Sequence, residues 1–254
     1  PDRVQRSNRA LTHLTDWFIA VAPAHGRYLS AHEGCPHDKV RVIPNGFDIS
    51  RFRPDPNARQ DIRESLGIGP DVPFVGLIGR YHLQKNHLGF IDAARALRAR
   101  LPNVRFALAG RGVSNDNAEL RAAVDRAGLG DAIHLLGLRS DVHRLMAALD
   151  VLASSSSFGE AFPNVIGEAM ACGVPCAATD VGDSSHIIGD IGRVVGVGDM
   201  AALANAMYVL LSAPKALRAM QSRAARERIV RTFEIGQVVA RFEAFYEELV
   251  RGDP

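Results

Sequence analysis

The sequence predicts an α/β fold with a doubly wound parallel sheet. From Val72 onward, short apolar runs alternate with longer segments whose apolar residues recur at helical spacing, which is typical of repeated β-α units. The apolar runs are nearly continuous, as expected of parallel strands that are covered by helices on both faces. Charged side chains follow several of the predicted strands, at the edge where sheets of this kind bind their ligands.

The composition argues against several other classes of protein. The chain has 254 residues, which is enough for one large domain, or for one domain and part of another. Its formal net charge of +2 is too small to indicate a nucleic-acid partner. No apolar run of about 18 residues occurs, so neither a transmembrane helix nor a signal peptide is expected. Three cysteines make a poor disulfide framework, which predicts a reducing, cytoplasmic location.

Residues 1–50 are predicted to be the tail of an incomplete N-terminal domain. In chain order we expect a helix at 9–16, a strand at 17–21, a helix at 23–31 and a strand at 40–43. A lone β-α-β unit of this kind cannot bury both faces of its strands. Residues 51–70 are rich in proline and glycine and are expected to be a linker, with one or two helical turns at 59–66.

The alternation that predicts the sheet begins at Val72 and ends with the helix at 200–211. The expected strands are 74–78, 104–109, 133–136, 151–153, 175–179 and 193–195. The expected helices are 88–100, 119–127, a helix capped by Asp141 that runs to Ala148, a helix from Pro163 that ends before Gly173, a short turn at 184–188, and 200–211.

Residues 213–250 are expected to form two further helices. The last one carries an apolar stripe that consists of Phe233, Val238, Val239, Phe242, Phe245, Tyr246 and Leu249. A stripe at helical spacing usually packs into a core. Because the incomplete first domain offers little surface to cover it, we expect part of the stripe to be exposed or to lie at an interface.

Residues 159–173 are the stretch around which a ligand site is expected. A buried strand and the serine tract 154–157 lead to Pro163, which suits the first turn of a helix, and Gly173 fits just beyond its end. A helix that starts after such a loop presents free N–H groups and the positive end of its dipole to an anion such as phosphate. Glu160 lies before this helix and Glu168 lies in its second turn.

The spacing of these two glutamates bears on their chemistry. The helix rises about 7–8 Å between Pro163 and Glu168, whereas the two carboxyls of a retaining glycosidase lie only about 5–5.5 Å apart. The pair is therefore better suited to hold two ends of one extended ligand, with phosphate between them. On spacing alone, an ordinary helix with one capping and one solvated glutamate explains the pattern at least as well.

The segment 160–171, EAFPNVIGEAMA, resembles the signature of the retaining, nucleotide-sugar-dependent glycosyltransferases with the GT-B fold, often called glycosyltransferase family four. Four other stretches agree with this family in order: VIPNGFD at 42–48, GR at 79–80, QKNH at 84–87 and TDVG at 179–182. The resemblance covers nearly the whole chain but only the second half of a usual member. It implies a partial first domain, a Rossmann-like donor-binding domain at 71–232 and a crossover helix at 233–254.

The resemblance also implies roles for individual residues. Arg80 and Lys85 would clamp the donor diphosphate, although without the resemblance they would be taken for ordinary surface cations. Glu160 would hold a hydroxyl of the donor sugar, and Glu168 would bind the ribose hydroxyls. The other donor-binding candidates are Leu138 and Arg139 at the nucleobase, Ala161, Phe162 and Pro163 at the sugar, and Asn164 and Val165 at the diphosphate.

Several neighbouring residues are not expected to take part in catalysis. Many members of the family carry glycine and glutamate where Asp183 and His186 stand, and Asp183 is expected to cap the local helix. His82 and His87 are expected to face solvent or to cap a helix, and the turn at 110–112 is expected to line the cleft. We expect no metal site, no obligatory metal and no other cofactor.

The predicted function is transfer of a sugar from a UDP- or GDP-sugar to a glycan or lipid-linked acceptor, with retention of configuration. The missing part of the N-terminal domain is expected to be required. The alternatives are a non-catalytic nucleotide-sugar-binding module and a GT-B nucleotide-sugar epimerase or phosphorylase. A phosphorylase would need a pyridoxal-phosphate lysine, and no lysine of the chain fits such a motif. The expected location is cytoplasmic, and a peripheral contact with the inner membrane is left open.

Overall fold

The computed structural model describes residues 9–251. The outer ends of the predicted segments 1–50 and 233–254 therefore lie outside the described residues. The described chain contains two parallel sheets, one with two strands and one with six.

The small sheet confirms the β-α-β unit expected near the N-terminus. β1 (Phe18–Ala20) pairs in parallel with β2 (Val40–Val42). α1 (Pro23–Tyr28) connects the two strands and continues into a π-helical turn, Leu29–Glu33. A short 3₁₀ helix, Thr12–Leu14, lies within the helix expected at 9–16.

The large sheet has its strands in the order β5-β4-β3-β6-β7-β8, all parallel. The strands are β3 (Phe74–Ile78), β4 (Arg105–Ala109), β5 (Ile133–Leu135), β6 (Val151–Ser154), β7 (Cys176–Thr179) and β8 (Arg193–Val195). Every predicted strand of this sheet is present. The chain runs from β3 outward to β5 and then returns to place β6 beside β3. The loops after β3 and β6 thus diverge from adjacent strands, and a ligand cleft forms at such a switch point in open α/β sheets.

Helices cover both faces of the large sheet and bury a core on each. They are α2 (Pro56–Ser65), α3 (His87–Arg100), α4 (Ala118–Arg126), α5 (Val142–Ala148), α6 (Asn164–Ala171), α7 (Ser184–Ile188), α8 (Met200–Ser212) and α9 (Lys215–Thr232). On one face the buried rings of Phe90 and Phe106 meet edge to face, with centroids 6.0 Å apart. On the other face Phe74 and Ile166 are fully buried. Burial on both faces explains why the strand sequences are apolar throughout.

The linker contains a longer helix than the one or two turns expected at 59–66. α2 begins earlier because the Asp55 carboxylate accepts a hydrogen bond from the Ala58 N–H group at 2.9 Å, which caps the helix. Arg63 of this helix is only 2% exposed and pairs with Asp150 at 2.7 Å. The linker helix is thereby attached to the residue that precedes β6.

The last helix, α10 (Ile235–Arg251), packs part of its apolar stripe against the small sheet. Val238 and Phe245 are buried, and the Phe245 ring meets Trp17 edge to face with centroids 5.4 Å apart. Tyr246, in contrast, is 55% exposed. The expectation that this stripe is only partly covered is confirmed.

Within residues 9–251, no single helix is long and apolar enough to cross a membrane, whereas α8 and α9 together meet the requirements of length and composition but are bent by 110° at their junction.

Candidate active site

The loops after β3 and β6 are joined by hydrogen bonds at the switch point of the large sheet. The Ser157 N–H group donates to the Gln84 carbonyl at 2.8 Å, and the Gln84 side-chain amide donates to the Gly159 carbonyl at 2.7 Å. The Ser155 hydroxyl donates to the Lys85 carbonyl at 2.8 Å. The serine tract therefore positions one loop against the other, a role that the sequence did not indicate.

Lys85 and Glu160 form an ion pair across these two loops. The Lys85 ammonium lies 2.5 Å from the Glu160 Oε1 atom, and the Ser156 hydroxyl donates to the same oxygen at 2.9 Å. The two side chains are 19% and 10% exposed, so water screens the pair only partly. Sequence reasoning assigned the two residues to different parts of one ligand, whereas the structure shows them in direct contact.

Arg80 is the exposed cation of the same loop. Within the described residues, its guanidinium makes one hydrogen bond, to the Gln84 side-chain oxygen at 3.4 Å. No carboxylate of the described chain forms an ion pair with it. Arg80 therefore keeps an unneutralised positive charge at the mouth of the switch point.

α6 begins at this point with its first N–H groups free of a side-chain cap. Pro163 was expected in the first turn of the helix, but it is the N-cap residue, because its ψ of 93° is extended rather than helical. The helix therefore begins one residue later, at Asn164. The N–H groups of Asn164 and Val165 have no partner within the helix, as in every first turn. The Asn164 side chain accepts a hydrogen bond from the Asn45 amide at 2.9 Å. Gly173, with a φ of 75°, follows the end of the helix as predicted.

Glu168 lies on α6 in a half-buried position. Burial raises the pKa of its carboxyl, and the positive charge of Arg51 offsets part of this effect. No residue between 9 and 251 donates a hydrogen bond to this carboxylate. The adjacent Gly167 packs directly against the Phe47 ring, which leaves no room there for a side chain. Glu168 is thus a carboxylate with unused acceptor capacity, on a helix that packs closely against Phe47, in the segment that precedes the linker.

A cleft of about 420 Å³ continues from Arg80 along the ends of β3, β4 and β5. Leu138 lines this cleft and is 75% exposed. This exposure is compatible with the expected contact between its backbone and a ligand. Gly110 and Arg111 of the turn at 110–112 line the cleft too, which agrees with the expectation. Arg111 of this turn is exposed, and its side chain makes no hydrogen bond to the described residues. Sequence reasoning missed this second cation, although its place after a strand end could have indicated it.

The Arg139 side chain pairs with Asp141 rather than projecting freely into this cleft. Its guanidinium donates twice to the Asp141 carboxylate, at 2.8 and 2.6 Å. Hydrogen bonds from Arg139 lower the pKa of the Asp141 carboxyl. The prediction that Asp141 caps its helix is therefore wrong: Asp141 occupies the N-cap position of α5, but its side chain makes no cap.

The two histidines beside Lys85 differ in their surroundings. His82 accepts a hydrogen bond from the Gln84 N–H group at 3.2 Å, which confirms the capping role expected for it. The same expectation is wrong for His87, which is 1% exposed and packs against the Tyr81 ring at 5.3 Å. Burial lowers the pKa of His87 to about 4, and a hydrogen bond with the Gly79 backbone offsets part of this effect.

The residues that follow Glu160 are held from both sides. The Phe162 ring is buried and stacks on Phe47, with centroids 6.0 Å apart. The Ala161 carbonyl accepts a hydrogen bond from the Asp183 N–H group at 3.1 Å. The Asp183 carboxylate makes no cap on its own helix, α7, so the prediction that Asp183 caps the local helix is also wrong. The carboxylate instead accepts a hydrogen bond from the Ala24 N–H group of α1.

The described residues contain no group of three His, Cys, Asp or Glu side chains that could hold a metal ion.

Comparison with known proteins identifies the family. The family model described as "Glycosyl transferases group 1" matches residues 72–213, more than half of the chain. The chain belongs to this family. A second model, "Glycosyltransferase Family 4", matches residues 2–51.

Relatives of this chain include bacterial enzymes that are named for different sugars. The lipopolysaccharide core biosynthesis mannosyltransferase LpsB of Rhizobium meliloti is 32% identical over 217 residues, which cover 83% of this chain and 61% of LpsB. The UDP-Gal:alpha-D-GlcNAc-diphosphoundecaprenol alpha-1,3-galactosyltransferase of Escherichia coli is 29% identical over 84% of this chain and 55% of its own length. The chain spans about half the length of the curated relatives it matches.

Solved structures confirm the GT-B type of fold. The crystal structure of Anabaena HepE in complex with UDP and glucose matches with a TM-score of 0.86 and 26% identity. The match covers 96% of this chain and 67% of HepE. A glycosyltransferase from Rickettsia africae matches with a TM-score of 0.86 at 22% identity, which supports the fold alone.

Proposed function

We propose that the chain is the donor-binding part of a retaining glycosyltransferase, which moves a sugar from a nucleotide-diphosphate sugar to a glycan or lipid-linked acceptor. The observation that supports this best is the meeting of Arg80, the Lys85–Glu160 pair and the uncapped start of α6 at one switch point. Cations beside free N–H groups suit a diphosphate, and nearby carboxylates suit hydroxyls. The complex of the related HepE with UDP and glucose is consistent with such a donor.

In this proposal the diphosphate lies against Arg80 and the first turn of α6. Negative charge grows on the diphosphate as its bond to the anomeric carbon breaks, so donors that are already in place stabilise the transition state. Arg80 has no carboxylate partner in the described chain, so its full charge is available to the diphosphate. The Lys85 ammonium has three N–H donors and can bind a phosphate oxygen while it keeps its bond to Glu160.

The two glutamates are proposed to hold the two ends of the donor. Glu160 accepts a hydrogen bond from a sugar hydroxyl, while Lys85 and Ser156 keep its carboxylate in position. Glu168 accepts hydrogen bonds from the ribose hydroxyls, which supply the donors that the described chain lacks. Hydrogen bonds to a charged group contribute about 1.5–3 kcal/mol. They also favour the ionised form of Glu168, and so oppose the effect of burial on its pKa.

The acceptor is proposed to bind to the N-terminal domain, of which this chain contains the part around the small sheet. The Escherichia coli relative is named for a diphosphoundecaprenol-linked acceptor, which supports a lipid-linked class of acceptor. A cytoplasmic location follows from this proposal, with a peripheral contact at the inner membrane where such lipids lie. The proposed mechanism uses no obligatory metal, because Arg80, Lys85 and α6 supply the positive charge.

Titration calorimetry of the chain with UDP and with GDP tests the donor site. We expect one of the two nucleotides to bind with a Kd on the order of micromolar. Glu168→Gln removes the charge that binds ribose and is expected to weaken binding roughly 10- to 100-fold. Glu243→Gln, on the exposed side of α10, is the matched control and should bind as the parent chain does. No binding of either nucleotide, or equal weakening by both variants, would contradict the proposal.

Transfer assays on the intact protein separate catalysis from mere binding. Arg80→Ala is expected to lower kcat about 10²- to 10³-fold, because it removes a donor to the leaving diphosphate. An intact protein that binds the nucleotide sugar but transfers no sugar to any acceptor would favour the non-catalytic module.

A further inference from the structure

α1 of the small sheet lacks a cap of its own. Its N-cap residue is Ala22, whose side chain cannot accept a hydrogen bond, and Pro23 at the first helical position has no N–H group. The first N–H group that needs a partner therefore belongs to Ala24. It donates to the Asp183 Oδ2 atom at 2.9 Å, across 159 residues of sequence. Asp183 thus takes the place that Ser, Thr, Asp or Asn usually fills at the N-cap.

The turn that carries Asp183 also packs on the loop of Glu160. The Asp183 N–H group donates to the Ala161 carbonyl at 3.1 Å. The preceding Gly182 has a φ of +61°, and a side chain there would overlap the Glu160 carbonyl. Asp183 therefore contacts two different partners. Its backbone binds the Glu160 loop, and its side chain binds α1.

Asp183 is buried, with 4% of its surface exposed. A buried carboxylate is costly unless hydrogen-bond donors compensate the water it has lost. The start of α1 provides a donor and the positive end of a helix dipole, whereas no N–H group at the start of α7 donates to the Asp183 carboxylate. The carboxylate is therefore tied to the small sheet's helix and not to the local turn.

We propose that Asp183 is a positioning residue that couples the first domain to the Glu160 loop. The position of α1 fixes the position of Asp183, and Asp183 in turn holds Ala161. Ala161 follows Glu160, whose carboxylate the proposed function assigns to the donor sugar. The inference rests on that function only for the role of Glu160. It explains why this chain carries aspartate at a position where a glycine would leave α1 uncapped.

Hydrogen–deuterium exchange on the whole chain tests the coupling without any ligand. Asp183→Ala is expected to speed exchange about fivefold in two segments, residues 24–28 and residues 158–163, since a lost N-cap destabilises a helix by about 1 kcal/mol. Asp180→Ala is the matched control in the same turn, because Asp180 is exposed and its side chain makes no hydrogen bond to the described residues. It should leave both segments unchanged.

A second variant separates coupling from simple capping. Ala22→Ser, added to Asp183→Ala, supplies a local cap and is expected to restore slow exchange in α1 while residues 158–163 still exchange fast. Acceleration confined to α1, or restoration of both segments by Ala22→Ser, would overturn the proposal. If Asp183→Ala loosens the whole chain, Asp183→Asn keeps an oxygen for the Ala24 N–H group. A milder acceleration limited to the two segments then supports the coupling, and uniform acceleration refutes it.

Functional data distinguish this inference from the proposed function. In the intact protein, Asp183→Ala is expected to lower kcat while UDP or GDP binds as before, because the nucleotide contacts lie elsewhere. If the chain binds no nucleotide, the exchange result still decides the coupling, and only the role of Glu160 fails.

Discussion

The Lys85→Met variant measures what the ion pair between the two loops contributes to stability. Both side chains are largely buried, so their attraction is screened less than that of a surface pair. At an effective dielectric constant near 20, two unit charges about 4 Å apart attract by roughly 4 kcal/mol. The single variant regains only the cost of removing the Lys85 ammonium from water, which offsets part of this attraction, and Glu160 keeps its bond to Ser156. We therefore expect the free energy of unfolding to fall by about 2 kcal/mol.

Urea unfolding followed by circular dichroism is the assay. Lys85→Met should lower the midpoint at unchanged slope, which indicates lost stability rather than a changed unfolded state. Adding Glu160→Gln removes the unpaired charge and should recover part of the loss. The pair between Arg98 and Asp131 is the control, because Asp131 is 64% exposed and such pairs contribute little. A Lys85→Met effect no larger than that of Arg98→Met would show that the Lys85–Glu160 pair stabilises the fold no more than a surface pair does.

Three further variants test other parts of the structure. Asp150→Asn leaves the buried arginine of α2 without its carboxylate and should cost about 3 kcal/mol in urea unfolding; a midpoint near that of the parent would count against the network. Because burial lowers the pKa of His87 to about 4, the unfolded chain binds a proton that the native chain does not, and stability should fall from about pH 6.5 to pH 4 by up to about 3 kcal/mol. His87→Phe should remove that dependence, and an unchanged pH profile would contradict it. Gly167→Ala drives a methyl group into the Phe47 ring and should cost about 1–3 kcal/mol in thermal unfolding; an unchanged Tm would show that the helix can shift.

The large sheet was predictable because its signals are local. Each strand is a short apolar run, and each is followed by a turn and a helical pattern, so its bounds follow from neighbouring residues alone. The start of α6 was predictable for the same reason, with Pro163 before it and Gly173 after it. Asp55 before Pro56 is also a local signal, because it predicts where the linker helix begins.

The errors concern side chains whose partners are distant in sequence. Asp183 precedes a helix, and aspartate is a common N-cap residue, but its carboxylate accepts a hydrogen bond from Ala24, 159 residues away. His87 follows a polar loop at the start of α3, yet the fold buries its ring. The pairing of Lys85 with Glu160 depends on β3 and β6 being neighbours, which the order of strands along the chain does not reveal. Such contacts follow from the topology rather than from any local pattern.

Locating the bound nucleotide in solution tests the proposed donor site directly. We would titrate the ¹⁵N-labelled chain with whichever of UDP and GDP binds more tightly and follow the backbone amide resonances. We expect the largest shifts at Arg80, Lys85 and Asn164, where the loops after β3 and β6 meet α6. Shifts confined to the larger cavity of about 510 Å³ near Arg59 and Lys215, beside the amino end of β6, would contradict this expectation.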